Sequence, residues 1–310
     1  HRGYRPKNRE MAQDAIKPAV LHIALFGGGR LAADRSLTAE LWRHLKQGEA
    51  DGVFALSLHR SLAYLGDAPV FENDLPAGTD VLLSLGGDGT LLDTLPLVRD
   101  SGVKVLGVNM GSLGFLSGAD RHEIAHLADA LRCRQYDEEK RAVLEIETET
   151  PGLLPFPYAL NEAVVFKCDT VSLVSVQVRV GGQLLNVYHG DGVIFATATG
   201  STAYSLSCGG PILSPEMEAF LITPIASHTL TVRPVLLPCA EPLEVEVTHT
   251  GDFRLSLDSD IRSLNGPLRF RIRQADFKLT TLRLRPHSFF TTLRQKLMWG
   301  ADGRRPSEGV

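Results

Sequence analysis

The chain has 310 residues, enough for two cores of ordinary size. A net charge of -4, with 44% hydrophobic and 22% charged residues, gives no electrostatic basis for a nucleic-acid or anionic-membrane partner. No apolar run approaches the roughly 20 residues that cross a bilayer, and no secretory pattern is present at the start.

The opening HRGYRPKNRE is basic and polar, and residues 1–18 read as a flexible leader ahead of the fold. VLHIALF, at 20–26, reads as a strand. SLTAELWRHLKQG, at 36–48, reads as a helix with Ser36 at its N-cap and Gly48 beyond its end. VFALSL (53–58), VLLSL (81–85) and VKVLGVN (103–109) are continuous apolar runs, the pattern of parallel strands covered on both faces. DRHEIAHLADALRC, at 120–133, is helical by period. This alternation predicts an α/β domain with a mostly parallel sheet over residues 19–137, binding ligands beyond the strands' carboxyl ends.

Near residue 140 the pattern changes. AVLEIETET alternates and PGLLPFP is a proline-rich loop. Then come VSLVSVQVRV, QLLNVYH, GVIFATA, HTLTVRP, LEVEVTH, FRLSLD, LRFRIRQ and FKLTTLRLR. Short strands with Gly/Pro turns predict an all-β, sandwich-like domain over 138–285. The arginines between Arg254 and Arg285 mostly alternate with apolar residues and read as the wet face of those strands. HSFFTTLRQKLMWG is helical again, with Phe289, Phe290, Leu293, Leu297 and Trp299 in need of cover. Residues 286–300 are therefore expected to pack back on the first domain, and 301–310 to be disordered. Four cysteines (Cys133, Cys168, Cys208, Cys239) without a CxxC pair read as buried, reduced thiols of a cytoplasmic protein.

Five stretches carry candidate chemistry. In GGDGT, Gly86, Gly87, Gly89 and Thr90 surround Asp88 between a strand and a helix, where backbone N–H groups approach phosphate closely. An acid repels anions there, so Asp88 either takes a proton or binds a cation, or it caps the helix that follows. GDGVIFATATGSTAYSLSCGGPI offers the hydroxyls of Thr199, Ser201 and Thr202 and the ring of Tyr204 to a ligand; a helix-capping turn is the plainer reading. Asn161-Glu162, at a strand end, has the groups to grip ribose hydroxyls or to lie exposed. HEIAH matches a zinc-protease spacing, but His122 and His126 fall opposite the stripe of Ile124, Leu127, Ala128 and Leu131 and read as surface residues. FGGGR, ending at Arg30, reads as a βα turn.

In order, GGDGT, GVNMGSLGFL, KRAVLEIE, LNEAV, GDGVIFATATGSTAYSLSCGGPI, HTLTVRP and RPHSFFTTLRQKLMW resemble the NAD kinase family, the ATP-NAD 2′-phosphotransferases. The resemblance runs from about residue 81 to 299. It implies Mg²⁺-dependent transfer of the γ-phosphate of ATP, or phosphate of polyphosphate, to the 2′-hydroxyl of NAD's adenosine ribose. Asp88 would be the acid/base, with Gly86, Gly87, Gly89 and Thr90 forming the phosphate turn. Phe115, Asn161, Glu162, Thr199, Thr202 and Ala203 would hold the adenosine half, Glu162 through ribose hydroxyls, and Tyr204 would pack against the dinucleotide. Asp191 would reach the nicotinamide end, and His189 would stand in the NAD site where an arginine suited to ligand phosphate is common. No fixed protein metal site is implied; Mg²⁺ would arrive with ATP.

The family is oligomeric, so a homodimer or homotetramer is expected, with Ala226 where a neighbouring subunit completes the site. Three departures stand out: Ala198 replaces a proline common in the family, His189 replaces an arginine common in bacterial members, and SLDSD stands where many members have an Asp-Gly turn, so Asp258 and Ser259 are given no role. A lipid kinase sharing GGDGT and a catalytically silent NAD(P)-binding regulator are the rival readings.

Overall fold

The computed structural model describes residues 21–27, 35–47, 51–55, 69–111, 113–169, 172–248 and 251–299. The predicted leader, the tail and residues 28–30 of FGGGR lie outside the described residues.

The first part of the chain runs β1 (His22–Gly27), α1 (Arg35–Gln47), β2 (Asp51–Ala55), β3 (Val70–Phe71) and β4 (Val81–Gly86). It continues with α2 (Asp88–Leu92), α3 (Leu95–Val98), β5 (Lys104–Asn109), β6 (Ala119–Asp120) and α4 (Ile124–Arg132). β3, β2, β1, β4, β5 and β6 pair in parallel. Their continuous apolarity has the predicted cause: Leu25, Leu82, Leu83, Leu85, Val105, Leu106 and Val108 are wholly buried. α1 adds Leu41 and Leu45 to this core, and α4 adds Leu127 and Leu131. α1 begins at Arg35, so Ser36 lies inside its first turn instead of capping it. α4 is preceded by a capping box: Asp120 accepts from the His122 backbone, and the Asp120 N–H donates to Glu123 Oε2 at 2.7 Å.

The second part runs β7 (Tyr136–Thr148), β8 (Tyr158–Ala159), β9 (Glu162–Lys167), β10 (Val174–Val180), β11 (Gln183–Gly190) and β12 (Gly192–Ala196). After α5 (Tyr204–Ser207) come β13 (Ala219–Ile225), β14 (Val235–Pro238), β15 (Leu243–Val247), β16 (Asp252–Leu257), β17 (Asp260–Asn265), β18 (Leu268–Leu284) and α6 (Phe289–Leu297). One six-stranded antiparallel sheet has the order β14-β13-β12-β9-β16-β17. It faces β7, β10, β15 and the first half of β18 across a core of Phe195, Phe220, Phe253, Val176, Phe270 and Ile272. The Phe195 and Phe270 rings meet edge to face at 6.5 Å. An α/β part, a β-sandwich part and a C-terminal helix are thus all present, as the sequence predicts.

The 17-residue β18 joins the two parts. Its first half pairs with β15, it runs beside β7 from Phe270 to Leu284 with a break between Gln274 and Lys278, and Thr281 meets Val105 of β5 in parallel. Parallel and antiparallel strands therefore share one twelve-stranded sheet. α6 is capped by Ser288, whose Oγ accepts from the Thr291 N–H at 3.2 Å. It reaches the first part through His287 to Glu123 at 2.8 Å and through Lys296 over the Phe115 ring.

Four expectations need correction. HTLTVRP is a run of turns, fixed by the Arg233 guanidinium donating to the Leu230 and Val232 carbonyls, and the strand begins at Val235. Of the apolar positions in the C-terminal helix only Leu293 is buried, while Phe290 and Trp299 are 68% and 55% exposed. The cysteines are free but not buried: Cys133 and Cys168 sit exposed just past the ends of α4 and β9. Arg283 is not on a wet face; it is buried where β18 crosses between the two parts.

Candidate active site

The site gathers where β4 ends, where β9 begins and where β12 gives way to a 3₁₀ turn, Thr199–Thr202. Asp88 is the first residue of α2, and its N-cap is Gly87, with no side-chain cap. The capping reading of Asp88 therefore fails. Its carboxylate instead accepts from the backbone N–H groups of Phe115 and Leu116 at 2.9 and 3.0 Å. A carboxylate oxygen has room for more than one donor, so each remains open to a hydroxyl. Gly114 makes the approach feasible: a Cβ there would lie 2.0 Å from Asp88 Oδ1. Thr90 packs against Gly86, and Phe115 lies half-buried beside the turn.

Asn161 is buried and Glu162 half-buried, at the mouth of β9. Asp258 fixes their backbone: its carboxylate accepts from the N–H groups of Leu160, Asn161 and Glu162 at 2.7, 2.9 and 3.1 Å. Glu162 Oε2 is buried, with no hydrogen-bond partner among the described residues. Burial first, and the Asp258 charge second, push the Glu162 carboxyl up to about 8.

The TGSTAYS stretch closes over this pair. Thr197 Oγ1 donates to the Leu160 carbonyl at 2.6 Å, and the Thr197 N–H donates to Asn161 O at 2.9 Å. A Cβ on Gly200 would lie 2.1 Å from the same Asn161 oxygen. The hydroxyls of Ser201 and Thr202 turn back to the Ala198 and Thr199 carbonyls. Ala198 stands at φ -58°, the angle a proline would impose, so the turn keeps its shape without the ring. Ala203 is half-buried and Tyr204 is 39% exposed. Burial raises the Tyr204 phenol, and the charges of Cys208, Asp191 and Glu162 add to it, so these groups share one neighbourhood.

Asp191 pairs with Lys167 at 2.7 Å. His189 is exposed on β11, and its carbonyl accepts from the His228 N–H at 2.8 Å. Ala226, exposed at φ +43°, lies on the turn that packs against Gly190 of its own chain. His122 sits in the 3₁₀ turn before α4 and His126 on its exposed face, away from these groups.

Sequence reasoning missed the side chains that hold the two halves together. Arg141, buried on β7, donates to Thr281 Oγ1 at 2.9 Å and to Thr199 Oγ1 at 3.3 Å. It pairs with Glu139 at 2.5 Å, and Glu139 also takes Arg283 at 2.7 Å. Burial lowers the Arg141 guanidinium, while the charges of Glu139 and Asp88 oppose that loss. The residue pattern does not single out the turn at Asp258 either. Ser259 Oγ donates to Asp93 Oδ1, at the end of α2, at 3.1 Å.

Residues 46–136 match the ATP-NAD kinase N-terminal domain family, and residues 160–284 match the ATP-NAD kinase C-terminal domain family. The NAD kinase of Bacteroides fragilis is 36% identical over 293 residues, which cover 92% of this chain and all of that one. The chain belongs to the NAD kinase family. Among solved structures, yeast NADH kinase complexed with NADH has a TM-score of 0.80 at 22% identity, covering 93% of this chain and 90% of that one. An NAD kinase from Archaeoglobus fulgidus in complex with ATP has a TM-score of 0.69 at 22% identity, covering 90% of this chain and 99% of that one. At that identity the likeness shows the fold alone. Both NAD kinase domain families match, so neither the lipid-kinase nor the silent-regulator reading is favoured.

Proposed function

We propose that this phosphotransferase acts on NAD by passing a phosphoryl group to the 2′-hydroxyl of its adenosine ribose, with Asp88 as proton acceptor. The observation that carries the reading is the Glu162 oxygen, buried and without a partner among the described residues, on a segment that the Asp258–Ser259 turn links to the helix opening on Asp88. Such an oxygen calls for a donor, and a ribose hydroxyl supplies one. Glu162 and Asn161 would hold the ribose, Thr199, Thr202, Ala203 and Phe115 would enclose the adenine, and Tyr204 would pack against the dinucleotide. Asp191 would face the nicotinamide end, and His189 would stand in the NAD site.

The backbone of Gly86, Gly87, Gly89 and Thr90 would cradle the donor's phosphates. The ribose oxygen attacks the terminal phosphorus and the bond to the bridging oxygen breaks. ADP leaves when ATP is the donor, and the hydroxyl proton passes to the Asp88 carboxylate. A base so placed contributes about 10²–10⁴-fold to the rate.

Among the described residues no group of three or more His, Cys, Asp or Glu side chains gathers as a metal cage. Mg²⁺ is usually held by phosphate and water with few protein ligands, so the cation would arrive with the triphosphate. When bound it would neutralise charge on the transferring group. No helix among the described residues is long and apolar enough to cross a membrane. A cytoplasmic location is part of the proposal. A homodimer or homotetramer, with the exposed Ala226 turn at the shared edge of the site, completes the proposal.

The test is one assay of purified protein with Mg²⁺, offering NAD and NADH against ATP and polyphosphate. NADP from NAD and at least one donor is expected. No phosphorylated dinucleotide in any of the four combinations would overturn the reading.

A further inference from the structure

The Asp258 carboxylate accepts from all three backbone N–H groups at the head of β9, those of Leu160, Asn161 and Glu162. Its own N–H also donates to the Glu162 carbonyl at 3.0 Å, so turn and carboxylate grip that segment from both sides. Asp258 holds φ +48°, in the left-handed region, where glycine is the usual occupant. Glycine would relieve the backbone but supply no acceptor for the three donors.

The next residue faces the other way. Ser259 Oγ reaches Asp93 Oδ1, 166 positions away in sequence and at the end of the helix that opens on Asp88. The Asp93 N–H is itself tied into that helix, to the Gly89 and Leu91 carbonyls. A two-residue turn therefore touches the segment carrying Glu162 on one side and the helix carrying Asp88 on the other.

We propose that the Asp258–Ser259 turn is a positioning element for the phosphoryl acceptor, setting the ribose-holding segment in register with the helix that presents Asp88. The inference rests on the ribose and base roles proposed above. Neither residue touches substrate; each acts through another. Asp258 keeps Glu162 and Asn161 in place to bind, and Ser259 keeps the bound hydroxyl aligned with the base. The two contributions therefore separate in kinetics. Misalignment lowers kcat, whereas a loosened segment raises the KM for NAD.

The test compares Asp258→Asn, Ser259→Ala, Ser259→Thr, Asp93→Ala and the Ser259→Ala/Asp93→Ala double variant with the wild type. Asp258→Asn replaces one acceptor oxygen by a donor and is expected to raise the KM for NAD at least about tenfold, with the KM for ATP unchanged. Ser259→Ala is expected to lower kcat by about three- to tenfold, with NAD affinity and melting temperature close to wild type. Ser259→Thr keeps the hydroxyl and is expected to keep the rate.

Asp93→Ala should match Ser259→Ala, and the double variant should lose no more than either single one. Ser259 is exposed, so its variants report even if Asp258→Asn folds poorly. Wild-type kcat in Ser259→Ala, or additive losses in the double variant, would overturn the proposal. A wild-type protein that forms no NADP would instead overturn the reading of the site on which it rests.

Discussion

Glu162 and Asp258 bring two carboxyls to one turn, and the backbone geometry leaves neither much water. The Glu162 carboxyl is pushed up to about 8 and that of Asp258 to about 6, in both cases chiefly by burial. For Asp258 the N–H groups of Leu160, Glu162 and Asn161 oppose the rise. Each group keeps a proton in the folded protein at pH values where the unfolded chain has lost it. Stability from these groups is therefore present below the ordinary carboxyl range and is lost as pH rises, through about 6 for Asp258 and about 8 for Glu162. The melting temperature of the ligand-free protein should fall across that window. Glu162→Gln should flatten the upper part of the fall, between about pH 6 and 8. Equal slopes in the two proteins would show that Glu162 is not the group titrating.

Among the elements, the 3₁₀ turn Thr199–Thr202 and the head of β9 behave as one piece, because Gly200 packs directly on Asn161. Gly200→Ala would force the two apart and is expected to destabilise the protein by about 1–3 kcal/mol. NAD affinity should fall with it, since Asn161 and Thr199 would no longer share a wall; thermal melts and NAD titration check the pair of effects. An unchanged melting temperature would mean that the turn gives way freely.

Legibility from the sequence divides along the same lines. GGDGT, LNEAV and TGSTAYS each carry local turn chemistry, so their positions at strand ends follow from residue type and spacing. Arg141 and Thr281 are 140 positions apart, and alternation along β18 gives no sign that Arg283 turns inward where the strand changes neighbours. Nor does SLDSD announce that its first aspartate faces three backbone donors. Those features depend on which strands meet, and pairing at long range leaves little local trace.

Across the molecule, β7 and β18 carry the antiparallel part of the large sheet into the parallel part, and Arg141 and Arg283 are buried along that passage with Glu139 half-buried between them. Burial alone would raise Glu139, but Arg283 and Arg141 outweigh it and hold its carboxyl below the usual range. Removing one partner strands the others without water. Arg141→Ala is expected to cost about 3–5 kcal/mol in denaturant unfolding. Arg269→Ala, which loses an exposed pair with Glu246, should leave the midpoint nearly unchanged. Comparable midpoints for the two variants would deny the buried cluster a structural role.

The same passage sets Thr199 beside Arg141 and brings the Asp88 charge to bear on it, so fold and site share their central contacts. Asp88 is proposed to accept the ribose proton. Asp88→Asn keeps the shape of the side chain and removes the base, so it should still bind NAD with near wild-type affinity. Its rate of NADP formation should fall by about 10²–10⁴-fold. Near-normal turnover by Asp88→Asn, measured beside wild type under saturating substrates, would remove Asp88 from the chemistry.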